Sequence, residues 1–279
     1  MLWLVFYLFN LQGDETMTLL DFDLDNLTTL FREIGLYSST NRFYQQRIRK
    51  HQQIFAYIPQ ITAAFRKLST KRPIVMLDCG CGKSYLSFVL YEYCTAVLKR
   101  KVKIIGIDNN AELIDKCKRA ACALGFDNMH FYHDEIDEFT FDDNVDITYS
   151  LHACDAATDQ TIAKGVKLGA KYIFSVSCCQ HTNREKMSQH PLTSISRYQP
   201  YKERLADMLG DSMRALLLEQ LGYGVNIFEF VAAEKTPKNV MLRAVKNAAK
   251  KQDRTKATAE YQRLVKMFGF APKLEGLLQ

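Results

Sequence analysis

Between Leu20 and Leu68 apolar residues recur at helical spacing. Leu27, Leu30 and Phe31 form one stripe, and Ile48, Phe55, Ile58, Ile61 and Phe65 form a second on the segment Phe43 to Phe65. Arg42, Arg47, Arg49, Lys50 and His51 fall on the other sides of that segment, either as a solvated face or as a basic flank for a polyanion. After Lys71-Arg72-Pro73 the pattern changes: short apolar runs alternate with longer helical ones, as in a parallel sheet covered on both faces. The runs predict strands at 74–77, 102–107, 129–132, 145–150 and 171–176. Helices are predicted over 84–98 and 111–124, over the segment ending at Gly169, and around 204–221. Two closing strands, 225–231 and 240–245, are joined by Glu234-Lys235-Thr236-Pro237-Lys238-Asn239. A parallel crossover needs a dozen or more residues, so the last strand must run antiparallel. The predicted fold is α/β, a Rossmann-like doubly wound sheet of seven strands with the last antiparallel, over 71–248. A helical extension (1–70) precedes it and a helical tail (249–279) follows.

Composition narrows this modestly. With 47% hydrophobic and 24% charged residues the chain is globular, and 37 basic against 31 acidic side chains leave a net charge of +6. That balance suits a polyanionic partner without demanding one. Eight scattered cysteines (Cys79, Cys81, Cys94, Cys117, Cys122, Cys154, Cys178, Cys179) lack the density of a secreted disulfide framework and read as reduced thiols of a cytoplasmic protein. The apolar stretch Leu2 to Leu11 has no basic flank or cleavage site and is too short for a membrane span. Either Met17 is the physiological start, or the stretch adds a helical turn to the core.

The chemistry sits at strand ends. Leu77-Asp78-Cys79-Gly80-Cys81-Gly82-Lys83-Ser84 joins the first strand to a helix, and Gly80 and Gly82 let the backbone turn tightly and approach a ligand beside a helix N-terminus. A dinucleotide fingerprint would place a third glycine where Tyr85 stands. Asp78, two positions before the glycines, instead matches S-adenosylmethionine sites, where that carboxylate faces the cationic methionine moiety. Asp108 ends the second strand, placed to accept both ribose hydroxyl hydrogens, with Asn109 assisting. His133-Asp134-Glu135-Ile136 follows the third strand and offers Asp134, with its neighbour Glu135, for the adenine amino group and Ile136 as an apolar wall. The reversed last strand also suits a methyltransferase better than a dehydrogenase.

Strand four runs into His152-Ala153-Cys154-Asp155-Ala156-Ala157-Thr158-Asp159, and strand five into Ser177-Cys178-Cys179-Gln180-His181. Both lie at the sheet edge where open α/β sheets bind ligands. Asp155 or His152 is the favoured base, with Gln180 and His181 positioning the acceptor. Zinc binding by His152, Cys154, Cys178, Cys179 and His181 lacks the usual ligand spacing, so no structural metal is expected. A cysteine nucleophile of the cytosine-C5 kind ranks below proton transfer, because Ala153 stands where a proline belongs.

These runs, Asp78 to Ser87, His152 to Asp159, Cys178 to His181 and Thr236-Pro-Lys-Asn239, resemble a class I methyltransferase family across about Ile74 to Val245. The family is similar to the domain found in glutathione S-transferase C-terminal-domain-containing protein. More distantly it is similar to the tRNA acceptor-stem 2′-O-methyltransferase. The resemblance implies S-adenosylmethionine at Asp78, Gly80, Gly82 and Asp108, and a nucleic-acid substrate. Ser84 replaces a glycine often found there. Thr182 to Arg204, with Arg184, Lys186, His190, Arg197, Tyr198, Lys202 and Arg204, reads as a basic lid or an ordinary polar insertion. The leading expectation is RNA methylation, of tRNA or rRNA, with no membrane partner. The rivals are a small-molecule or protein methyltransferase and an inactive cofactor-binding interaction module.

Overall fold

The computed structural model describes residues 23–37, 48–151, 153, 156–177, 184–185, 187, 190–232, 238–247 and 251–279. The apolar start at Leu2 to Leu11 and the Met17 question lie outside them. The chain divides into two compact units: one holds residues up to Glu135 together with Phe230–Asn239, the other Ile136–Glu229 and Val240–Gln279.

In the first unit, helix α1 (Leu24–Glu33) starts at Asp23, whose carboxylate accepts from the N–H groups of Asp25 and Asn26 at 2.9 and 3.1 Å. Helix α2 (Ile48–Thr62) continues as a 3₁₀ turn over Ala63–Lys67. Both predicted apolar stripes are buried where they are described, at Leu27, Leu30, Phe31, Phe55, Ile58, Ile61 and Phe65. His51 departs from the reading that set it on the basic side of α2. Its ring stands edge-on to Phe31 (5.1 Å) and stacks on Phe55 (5.8 Å), and burial drives its pKa down to about 3. A neutral imidazole is flat and largely apolar, so it packs as an aromatic.

The strands are β1 (Ile74–Cys79), β2 (Val102–Asp108), β3 (Met129–His133), β4 (Ile147–Leu151), β5 (Tyr172–Val176), β6 (Gly224–Glu229) and β7 (Val240–Val245). They form one sheet in the order β3-β2-β1-β4-β5-β7-β6. The pairs β1–β2, β2–β3 and β4–β5 are parallel, and β7 runs antiparallel to both β5 and β6. The seven-stranded Rossmann-like sheet with a reversed last strand is thus present. The last strand also slots between β5 and β6, which hairpin length alone does not specify.

Helix α3 (Tyr85–Glu92) is shorter than predicted: the chain widens into a π turn over Tyr93–Val97 and ends at Lys99, with φ +51°. Thr95 sits there with its hydroxyl donating to the Tyr91 carbonyl at 2.8 Å, a side-chain bond that competes with helix propagation. Helix α4 is Ala111–Ala123, α5 is Ala156–Lys167 and α6 is Thr193–Ser196. Helix α7 (Gln199–Gln220) begins earlier than the predicted Arg204, with Pro200 in its first turn, where a missing N–H costs nothing. Helix α8 (Lys251–Phe268) packs along α7, and α9 (Lys273–Leu277) packs on α5. Among the described residues no helix is long and apolar enough to cross a membrane.

Candidate functional site

The turn after β1 is built on three left-handed residues, Gly80 (φ +67°), Gly82 (+56°) and Ser84 (+51°). Glycine takes this conformation freely, whereas for Ser84 it costs about 1 kcal/mol. The Ser84 hydroxyl donates to Asp78 Oδ2 at 3.2 Å, and the Ser87 hydroxyl, one helical turn on, donates to the same oxygen. Asp78 is only 4% exposed. Its carboxyl group therefore braces the start of α3 from beneath the turn.

Burial pushes the Asp78 pKa up to about 7, aided by the nearby Asp108 charge and opposed by the two serine hydroxyls and by Lys50. Below about pH 7 the folded protein holds a proton that the unfolded chain releases near 3.8, so stability should fall as pH rises through that window and level off above it. Asp78→Asn should flatten the trend. Urea unfolding at pH 4.5 and 7.5 should show the parent losing on the order of 2–4 kcal/mol more than the variant; equal losses would mean that Asp78 does not titrate there.

Next to the turn, Asp108 at the end of β2 accepts from the Gly82 N–H with Oδ2 (2.7 Å) and from the Asn110 N–H with Oδ1 (2.9 Å). A carboxylate offers about four acceptor positions, so two remain for ligand hydroxyls. Around it, the Asp134 N–H donates to the Asp108 carbonyl (3.2 Å), and the Asn109 side-chain amide donates to Glu135 Oε1 (3.2 Å). His133 Nε2 lies 3.1 Å from the Asn109 carbonyl oxygen. The structure thus brings together Gly82, Asp108, Asn109, Asp134 and Glu135, with Asp78 beneath. A Cβ built on Gly82 would meet nothing within 4 Å, so the turn faces open space. An open glycine turn beside carboxylate acceptors is the acceptor set that the hydroxyls of an adenosine ribose require, and the residues fit S-adenosylmethionine.

Two thiols complete the turn from behind. Cys117 Sγ and Cys81 Sγ lie 3.5 and 4.0 Å from the Gly82 carbonyl oxygen. Burial pushes the Cys117 thiol up to about 12 and the Cys81 thiol well above its ordinary value, so both stay protonated and serve as weak donors. The expected acceptor-side residues His152, Asp155, Gln180 and His181, and with them Cys154, Cys178 and Cys179, lie outside the described residues. Their flanks are described. Thr158 donates to the Ala153 carbonyl, and the Ser177 hydroxyl donates to both carboxylate oxygens of Asp211 (3.1 and 3.3 Å).

Residues 49–186, about half of the chain, match the family model for a methyltransferase domain. The chain belongs to the class I, S-adenosylmethionine-dependent methyltransferases. This methyltransferase is 26% identical over 192 residues to the human glutathione S-transferase C-terminal domain-containing protein, an alignment covering 60% of this chain and 29% of that protein. With the Xenopus laevis protein of the same name it is 25% identical over 224 residues, covering 71% and 34%. It therefore spans about a third of these relatives' length. Similar solved structures include a SAM-dependent methyltransferase from Aquifex aeolicus, at 15% identity and TM-score 0.43 over 73% of this chain and 97% of that one. Another is magnesium protoporphyrin IX methyltransferase from Synechocystis PCC 6803 with bound SAH, at 14% and 0.46 over 80% and 93%.

Several residues that shape the methyltransferase's site went unread in the sequence. Ser84 and Ser87 had a legible signal, since their spacing puts both hydroxyls on one face of α3. Cys117 and His133 had none. His190, counted in the basic lid, is buried instead: its Nδ1 accepts from the Leu192 N–H at 3.1 Å, its Nε2 lies 3.0 Å from the Ser196 hydroxyl, and its ring stands 5.2 Å from Phe268.

Proposed function

We propose that this methyltransferase modifies RNA, either tRNA or rRNA. In this reading Gly80, Gly82, Asp108, Asn109, Asp134 and Glu135 hold S-adenosylmethionine above the braced Asp78, and the bound cofactor supplies an activated methyl group. Asp155 or His152 takes up the acceptor's proton, and Gln180 and His181 position the acceptor.

The observation that carries the RNA reading is a pair of exposed tyrosines next to arginine. Tyr198 and Tyr201 are 53% and 52% exposed, and their rings meet edge to face at 6.1 Å. The Arg197 guanidinium stands 5.2 Å from the Tyr198 ring centre. Ile195 and Met208 are exposed nearby in the chain, and Lys202 and Arg204 add positive charge. Large aromatic and apolar side chains held in water beside cations suit stacking of unpaired bases with phosphate contacts, and each base–aromatic stack contributes about 1–3 kcal/mol.

Fluorescence anisotropy with an unmodified tRNA transcript over a salt series tests this. Affinity should fall steeply as salt rises, and a Tyr198→Ala, Tyr201→Ala double variant should bind at least about tenfold more weakly with the same salt slope. Affinity indifferent to salt would reject RNA in favour of a small-molecule or protein acceptor.

A further inference from the structure

Within the second unit the largest fully buried side chain is a cation. Arg214, on the inner face of α7, is 1% exposed. Its Nε donates to Asp159 Oδ1 at 2.5 Å and its Nη1 to Asp211 Oδ1 at 3.1 Å, while Asp211 accepts from Ser177. Asp159 is 4% exposed as a side chain and Asp211 14%. The cluster joins three elements. Asp159 lies in the first turn of α5 and ends the run His152 to Asp159; Ser177 follows β5 and directly precedes Cys178 to His181.

An apolar trio of similar volume would fill this space at equal or better stability, because desolvating three charges consumes most of what their attraction returns. An ion cluster adds direction. The guanidinium is planar, with donors at fixed angles, so it sets the Asp159 and Asp211 carboxylates in one geometry, and Ser177 follows Asp211. The cation keeps its proton at any working pH, raised by both aspartates against the effect of burial.

We propose that Arg214 is a positioning residue for methyl transfer: through Asp159 and the Asp211–Ser177 pair it fixes the first turn of α5, which follows β4, and the carboxyl end of β5 relative to each other. The first of these closes the motif His152 to Asp159, and the second leads into the motif Cys178 to His181. The inference rests on the reading that those motifs face the acceptor. It does not require that the acceptor be RNA.

The test compares the parent with Arg214→Met, Arg214→Lys and the charge-free triple variant Arg214→Met, Asp159→Asn, Asp211→Asn, all in the full chain with S-adenosylhomocysteine bound. Hydrogen exchange is followed at amides 156–161 and 174–177, beside calorimetric cofactor affinity and tritiated-methyl transfer to hypomodified total RNA. In Arg214→Met these amides should exchange at least tenfold faster while the amides of β1 and β2 keep parental rates. Cofactor Kd should stay within threefold and turnover at saturating cofactor fall at least thirtyfold. Arg214→Lys, which keeps the charge but not the fork, should recover part of the loss. The triple variant should behave like Arg214→Met in exchange and turnover while unfolding at a higher temperature than Arg214→Met, because it leaves no uncompensated charge buried. Parental exchange at 156–161 and 174–177, or a rise spread evenly over the molecule, would overturn the positioning role. Absence of labelled RNA from the parent itself would overturn the RNA reading and leave the exchange result to decide this one.

Discussion

Replacing Asp108 by alanine should weaken S-adenosylmethionine and S-adenosylhomocysteine binding by at least about 100-fold, near 3 kcal/mol, in a calorimetric titration. Two losses combine. The free carboxylate holds the Gly82 and Asn110 N–H groups at 2.7 and 2.9 Å, so its removal releases the glycine turn before any ligand arrives. Its remaining acceptor positions are those available to ribose hydroxyls, and a charged acceptor bond contributes about 1.5–3 kcal/mol. Asp108→Asn should fall between the two, because the amide oxygen can serve one N–H while its NH₂ opposes the other. An alanine variant that kept the parent's affinity would move the ribose away from β2.

Gly106→Val should cost stability rather than chemistry. A Cβ at Gly106 would stand 2.6 and 2.8 Å from two carbons of the Phe131 ring and 3.1 Å from Cys81 Sγ. The ring has little room to retreat: Phe131 is 4% exposed and stacks on Phe88 at 5.6 Å, and Phe88 in turn lies 6.3 Å from Phe126. Overpacking of this kind costs about 1–3 kcal/mol, and the valine branches put it at the upper end. The midpoint of thermal unfolding should drop by roughly 6–12 °C. Pairing the substitution with Phe131→Leu should return a good part of the loss, a coupling that a double-mutant cycle reads directly. An additive cycle would show that the clash is relieved elsewhere.

The glycine turn and the acids at the ends of β2 and β3 were legible because strand periodicity and chain reversal place them with no long-range information. The antiparallel β7 was legible because a six-residue link cannot cross a sheet. What escaped depended on partners far along the chain. His51 looked polar by residue type, and only the rings of Phe31 and Phe55 make it a core residue. Arg214 sits on a helix that was predicted, yet nothing local distinguishes a buried arginine from a solvated one; its neighbours Asp159 and Ser177 arrive from two other elements. Ser84 was legible only in part: its spacing from Ser87 puts two hydroxyls on one face, but its left-handed backbone and the bond to Asp78 appear only once the turn is folded.

The first unit also borrows Phe230–Asn239 from late in the chain. The Gln53 side-chain amide donates to the Lys238 carbonyl at 3.2 Å, Tyr57 meets Phe230 edge-on at 5.7 Å, and Asn239 is pinned to the Val231 carbonyl at 2.9 Å. A ribosome making this protein therefore releases β1 to β3 long before the segment against which α2 closes has been synthesised. The nascent amino-terminal half must wait with the apolar face around Tyr57 uncovered, and a stalled or truncated product ending before residue 230 would be a substrate for chaperones rather than a stable half-domain.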